Sequence, residues 1–158
     1  MRYMFFIFFL ATSWALPTDK QQPIHFSAGS IEWDHIQSHG VFKDNVCFQQ
    51  GSTQLHATSG YSIGDAMHQF TKIVMHGTKN QPAHFITTPK INEPEINAFS
   101  DEMIYLPLQK LIILQGNVHV KQGRYEFYAP YVQYNTELKK LLTKPQQQQN
   151  TTIVINPE

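Results

Sequence analysis

The chain has 158 residues, with 12 basic and 12 acidic side chains and a formal net charge of zero with histidine neutral. That balance lacks the basic excess with which nucleic-acid-binding domains neutralise phosphates, so no nucleic-acid partner is expected. Cys47 is the only cysteine, which excludes an internal disulfide and leaves the apolar core to hold the fold.

The first segment reads as a targeting signal. Arg2 gives a positive start, Tyr3 to Ala11 is almost unbroken apolar sequence, and Ser13-Trp14-Ala15 places small residues where a signal peptidase cuts. A spanning helix needs about 20 apolar residues, and Pro17-Thr18-Asp19-Lys20 ends this run well short of that. Residues 1–15 are therefore expected to be a cleaved signal peptide, with an uncleaved anchor as the alternative. Residues 16–158 form one domain of ordinary size.

From there the chain reads as strands. Apolar and polar residues alternate in Ile31-Glu32-Trp33, Val46-Cys47-Phe48 and Val118-His119-Val120-Lys121. Turn signals recur at Ser38-His39-Gly40, Asp44-Asn45, Gln50-Gly51, Gly77, Asn80, Gln115-Gly116-Asn117 and Gln122-Gly123. Gly60-Tyr61-Ser62-Ile63-Gly64 reads as a glycine-flanked turn. Asp65 to Phe70 offers a capping residue but is too short for an independent helix. Gln146 to Gln149 reads as a flexible loop, and Thr151-Thr152-Ile153-Val154-Ile155 as a last strand. Many short strands at this spacing predict an all-β sandwich, barrel or roll.

An internal repeat organises these strands. Residues 41–57 fall on 113–129 without a gap, an offset of 72 positions. Asn45-Val46 meets Asn117-Val118, Gln50-Gly51 meets Gln122-Gly123, and Ala57 meets Ala129; upstream, Ile31 and Trp33 meet Met103 and Tyr105. Each copy predicts strand, turn at Asn, strand, turn at Gly, strand. Val46 and Phe48 share one face, as do Leu55 and Ala57, Val118 and Val120, and Phe127 and Ala129. His119 and Lys121 point the other way. Two such apolar faces must cover each other, closed as a sandwich or splayed as a groove.

Motifs for chemistry are weak. Gly60 to Gly64 matches the nucleophile-elbow pattern, with Asp101 and His119 following in hydrolase order, but the pattern needs a strand-to-helix turn in a parallel α/β sheet. His35 and His39 have zinc-like spacing without the cysteine or acidic company a closed site requires, apart from Asp34. No cofactor or metal is expected, and Cys47 reads as a free strand thiol.

Three segments together carry a family resemblance: Gln21-Gln22-Pro23-Ile24-His25-Phe26, Asp44-Asn45-Val46-Cys47-Phe48-Gln49-Gln50-Gly51 and Gly116-Asn117-Val118-His119-Val120-Lys121-Gln122-Gly123. With Gln81-Pro82-Ala83-His84-Phe85, Ala98 to Tyr105 and Thr151 to Pro157, they resemble the LptA, or OstA-like, family over residues 22–157. The resemblance implies a twisted antiparallel β-jellyroll whose two facing, splayed sheets form an open apolar groove. It implies a periplasmic, non-enzymatic bridge that shields the acyl chains of lipopolysaccharide between the inner and outer membranes. It also implies LptC-like and LptD-like partners and head-to-tail self-association. Groove positions implied by the resemblance fall on Ile24, Phe26, Trp33, Phe85 and Tyr105. The apolar faces of the repeat add Val46, Phe48, Val118, Val120 and Phe127. Two departures stand out: Asp44 where the family pattern has Gly, and Pro107 inside an expected strand, which implies a bulge or lost pairing. Alternatives are a membrane-anchored LptC-like protein and a secreted serine hydrolase using Ser62.

Overall fold

The computed structural model describes residues 22–89, 92–144 and 150–157. The expected signal at 1–15 and the glutamine loop at 146–149 lie outside the described residues. Twelve strands form one antiparallel network. The first six are β1 (Ile24–Ser27), β2 (Ser30–Asp34), β3 (His39–Gln50), β4 (Thr53–Gly64), β5 (Phe70–His76) and β6 (Ala83–Thr87). The second six are β7 (Ile96–Ser100), β8 (Glu102–Leu106), β9 (Leu111–Gln122), β10 (Tyr125–Asn135), β11 (Lys140–Thr143) and β12 (Thr152–Ile155).

The four long strands β3, β4, β9 and β10 each serve two arms. In the first arm, residues 39–43 of β3 pair β2, residues 59–64 of β4 pair β5, and β5 pairs β8. Residues 111–115 of β9 pair β8, and 132–135 of β10 pair β11. In the second arm, the other halves of these strands pair β1, β6, β7 and β12, and β6 pairs β7. The arms face each other. Phe26 of the second arm stacks on Phe42 of the first at 4.6 Å, Phe48 meets Tyr105 at 5.7 Å, and Phe85 meets Tyr134 at 5.9 Å. This is the expected all-β roll.

The repeat is structural as well as sequential, and it extends further than 41–57. An offset of 72 carries β1, β2 and β3 onto β7, β8 and β9 with the register kept. Ile24↔Gln50 becomes Ile96↔Gln122, and Ser30↔Lys43 becomes Glu102↔Gln115.

The asparagine positions were expected to be turns and are bulges within continuous strands. Between Lys43 and Val46 two residues oppose the single Thr58, and between Gln115 and Val118 two oppose the single Pro130. Asp44 and Asn45 have φ of 62° and 52°, and Gly116 and Asn117 have 76° and 48°. Bulges and turns draw on the same left-handed residues, so sequence alone does not separate them. The glycine turns hold as expected: Gly51 and Gly123 open two-residue hairpin loops with φ of 58° and 56°.

Two further expectations are corrected, at Gly60 to Gly64 and at Pro107, and Asp65 to Phe70 forms no helix, as its length implied. Gly60 to Gly64 is not a turn but the end of β4; a Cβ on Gly60 would stand 2.5 Å from the Val74 carbonyl, so strand β5 dictates this glycine by close approach. Asp65 caps no helix: its Oδ1 accepts from the N–H groups of Met67 and Gln69 in a tight turn. Pro107 lies beyond β8, not inside it, and opens a 3-10 turn over Pro107–Gln109 that ends on left-handed Lys110.

At each bulge one glycine faces one aspartate, in reversed order. Gly29 donates to the Asp44 carbonyl at 2.6 Å, and its repeat counterpart Asp101 donates to the Gly116 carbonyl at 2.9 Å. A Cβ on Gly29 would meet the Asp44 Cβ at 2.9 Å, and a Cβ on Gly116 would meet Asp101. Only one side chain fits at each crossing. Gly116→Ala is therefore expected to destabilise the fold by about 1–3 kcal/mol, as a non-glycine residue forced into left-handed backbone does. The exchange Asp101→Gly with Gly116→Asp, which copies the first crossing, should recover at least half of that loss in urea denaturation.

Candidate functional site

The candidate site is the apolar interior between the arms. Inward residues alternate along much of β3, β6, β7, β8 and β9, and the interior has three zones. The middle is solid: Phe42, Val46, Phe48, Leu55, Phe85, Met103, Tyr105, Ile112, Val118 and Val120 are all buried. At one end Ile24 and Phe26 are only partly covered. Trp33 there is 43% exposed, with its ring 5.9 Å from Phe70. At the opposite end a cavity of about 410 Å³ opens between Ile96, Val120 and Phe127 of the second arm and Tyr134, Leu138 and Leu141 of the first.

The ten expected groove positions thus divide. Val46, Phe48, Phe85, Tyr105, Val118 and Val120 belong to the buried core, though Val120 also reaches the cavity wall. Ile24, Phe26 and Phe127 are half-buried at the ends, and Trp33 stands at the open edge. Sequence reasoning missed Ile96, Tyr134 and Leu141. The repeat held a signal for Ile96 alone, the counterpart of the groove residue Ile24.

Tyr134 is one of two buried residues of this interior, with Ser62, whose hydroxyl lacks a partner among the described residues. It is 4% exposed, and its hydroxyl has no hydrogen-bond partner among the described residues, a condition that costs about 1–3 kcal/mol for a buried group. Burial, with the nearby Glu93 carboxylate, pushes its pKa up to about 12. Its repeat counterpart, Ser62, is also buried without a partner.

Ser62 does not form a hydrolase site. It sits inside β4 facing inward in the first arm. His119 lies outward in the second arm and pairs with Glu126 at 3.1 Å. Asp101 accepts from the Asn117 side chain at 2.9 Å. The outer face of the second arm instead carries a cross-strand row, His56, His84, Phe99, His119 and Tyr128, with His84 stacked on Phe99 at 4.3 Å and His119 on Tyr128 at 4.4 Å. Desolvation and then neighbouring His84 push the His56 pKa down. His35 stacks on His68 at 4.8 Å and His39 lies beside Tyr61, so the zinc-like pair does not converge. Among the described residues no three His, Cys, Asp or Glu side chains are grouped to hold a metal. Cys47 is a half-buried free thiol, its pKa raised by burial against an opposing hydrogen bond from Ser27.

A family model described as LptA/(LptD N-terminal domain) LPS transport protein matches residues 25–140. The lipopolysaccharide export system protein LptH of Pseudomonas aeruginosa is 27% identical over 123 residues, which cover 78% of this chain and 69% of that protein. The crystal structure of LptH from Pseudomonas aeruginosa, described as the LptA homologous periplasmic component of the conserved lipopolysaccharide transport device, matches with a TM-score of 0.80 at 23% identity. That match covers 89% of this chain and 100% of the other, and it shows the shared fold.

The raised pKa of Tyr134 has a signed consequence. A tyrosine whose folded pKa lies above its unfolded value of about 10 adds stability that is complete below pH 10 and is lost as pH climbs through the folded value. Chemical denaturation from pH 9 upward should show stability falling toward pH 12. In Tyr134→Phe that component should be absent, while stability at pH 7 is unchanged or raised because no hydrogen bond is lost.

Proposed function

Because the chain belongs to the LptA/(LptD N-terminal domain) LPS transport protein family, we propose that it is a periplasmic carrier of lipopolysaccharide, bridging the inner and outer membranes. Residues 1–15 are its export signal. The observation that carries this reading is an apolar interior open at both ends, bounded by edge strands that have one neighbour each among the described strands. Moving an acyl chain through water costs about 0.8 kcal/mol for each exposed methylene. A chain held between the arms escapes that cost. The interior is as apolar as a membrane, so it lowers the barrier without setting direction, and carriage requires no bond to be made or broken.

Photo-crosslinkers at Trp33 and Phe127, on the inner face at the two ends, should capture lipopolysaccharide. One at Lys121, on the outer face, should not, and equal labelling of all three would overturn the reading. The second reading, a membrane-anchored LptC-like protein, is distinguished by sequencing the mature N-terminus, which for the carrier begins near Leu16.

Assembly follows from the edges. Among the described strands β1 and β2 pair only with β3, and β11 and β12 only with β10. Strands β11 and β12 lie on β10 where β5 and β6 lie on β4, four residues earlier in the repeat frame. In the first half, β5 and β6 are joined to β8 and β7, the counterparts of β2 and β1. A following copy can therefore repeat this internal seam, β11 against its β2 and β12 against its β1. Such a contact is heterologous and yields an open filament that joins LptC-like and LptD-like partners at its ends.

The seam also gives the register. Ile86↔Asn97 translates to Val154 of one copy opposite His25 of the next. In a Cys47→Ser background, Val154→Cys with His25→Cys should oxidise to a ladder of covalent oligomers that grows with concentration. Val154→Cys with Ser27→Cys, two positions out of register, should give no covalent ladder.

A further inference from the structure

The cavity at the β11 and β12 end lacks a wall that its counterpart at the internal seam possesses. At the seam, Tyr105 of β8 lies opposite Ile73 of β5, packs on Phe48 at 5.7 Å and is 7% exposed. The residues that receive it have counterparts one repeat onward. Leu141 pairs with Tyr134 as Ile73 pairs with Ser62, and Val120 stands 72 positions after Phe48. Leu141 and Val120 both line the cavity of about 410 Å³. Among the described strands none lies beyond β11 to bring in an equivalent of Tyr105. In the repeat frame that equivalent is Trp33, 72 positions before Tyr105, on the edge strand β2.

Trp33 is placed for such a contact. Its ring lies over Gly40, where a Cβ would stand 2.8 Å from the indole, and meets Phe70 edge-on at 5.9 Å. Its own copy therefore fixes its orientation, while its other flank is open, at 43% exposure. The sizes compensate. The seam sets a tyrosine on Phe48, and a junction in the same register sets the larger indole on the smaller Val120. The cavity lining is mixed, with Glu93, Gln122 and Lys139 beside Ile96 and Phe127. An indole suits that mixture better than a bare hydrocarbon, because it brings an apolar body and one N–H donor. We propose that this cavity is a socket for Trp33 of a following copy of the chain, so that each copy completes the interior of the one before it. This pairing rests on the edge-to-edge assembly proposed above and adds to the backbone contact the side chain that decides its strength.

Trp14 and Trp33 are the only tryptophans, and Trp14 lies in the expected export signal, so emission from the exported protein reports Trp33. As concentration rises and oligomers form, that emission should shift to shorter wavelength and its quenching by acrylamide should fall. Trp33→Ala keeps the socket and loses the anchor. Val120→Phe, which copies the seam's Phe48 into the cavity, keeps the anchor and blocks the socket. Each alone should weaken self-association by about 10- to 50-fold in sedimentation equilibrium, the loss expected of one central aromatic anchor, with its thermal transition kept. Mixed in equal amounts, the two variants retain one intact junction and should form a heterodimer and nothing longer. Leu141→Trp replaces Val120→Phe as the socket block should the latter lose its thermal transition. Undiminished oligomers in Trp33→Ala, or two weakened variants that do not dimerise when mixed, would overturn the socket. If the ladder of Val154→Cys with His25→Cys forms while Trp33 emission stays unshifted, the socket falls and edge-to-edge assembly stands; if neither appears, both fall.

Discussion

The bulge in the long strands is the constraint on which the architecture depends. A strand of eleven or twelve residues cannot belong to two facing arms unless its path bends, and an extra residue in the ladder bends it. Both bulged pairs require left-handed backbone at two successive positions, which is where Asp, Asn and Gly tolerate what other residues do not. Each bulge is then pinned by the segment linking the two short strands beside it, through Gly29 in one half and Asp101 in the other. The same crossing is solved twice with the glycine on opposite partners. That is the pattern expected when sterics at a contact, rather than either residue's own preference, decide the composition.

Once the arms are bent toward each other, the interior follows. Residues from both arms interlock in the middle because every strand there has neighbours on both edges. The ends differ for a topological reason. The repeat supplies six strands per half, and the inner pairs β5–β8 and β6–β7 join the halves. Among the described strands, the outer copies of those same edges have no further neighbour. An open interior and an edge with one neighbour are therefore two aspects of one fact.

Much of this was legible in the sequence, and the parts that were not share a cause. Alternation at Val46-Cys47-Phe48 and Val118-His119-Val120 gave the inward face directly, because a period of two survives any arrangement of strands. The hairpin glycines at 51 and 123 were readable because a two-residue loop demands positive φ. The bulges at Asn45 and Asn117 were misread as turns because the local backbone demand is the same, and only the partner strand distinguishes them. Gly60 was misread for a similar reason: its partner is the carbonyl of Val74, distant in sequence. The elbow-like spacing around Ser62 was a coincidence of residue types within a continuous strand. Tyr134 was invisible because nothing local marks a hydroxyl as unpaired; that depends on what the opposite arm offers.

The two ends of the interior are not interchangeable, and the repeat explains how they differ. Across the internal seam, Ala98 and Tyr105 are the residues that β7 and β8 present inward, beside Phe85 and Ile73 of the preceding half. At the start of the chain the same positions are Phe26 and Trp33, larger aromatic side chains on a free edge. At the far end, the positions that would receive them are Ile153 and Leu141, beside the cavity that contains Tyr134. A junction built on the seam's register therefore sets bulky rings against an unfilled space. The internal seam sets an alanine and a tyrosine against a filled one. The internal seam is already a closed core and has no room for a guest. The outer ends combine exposed aromatic surface at Trp33 with open volume beside Phe127 and Leu141, whereas the middle is filled.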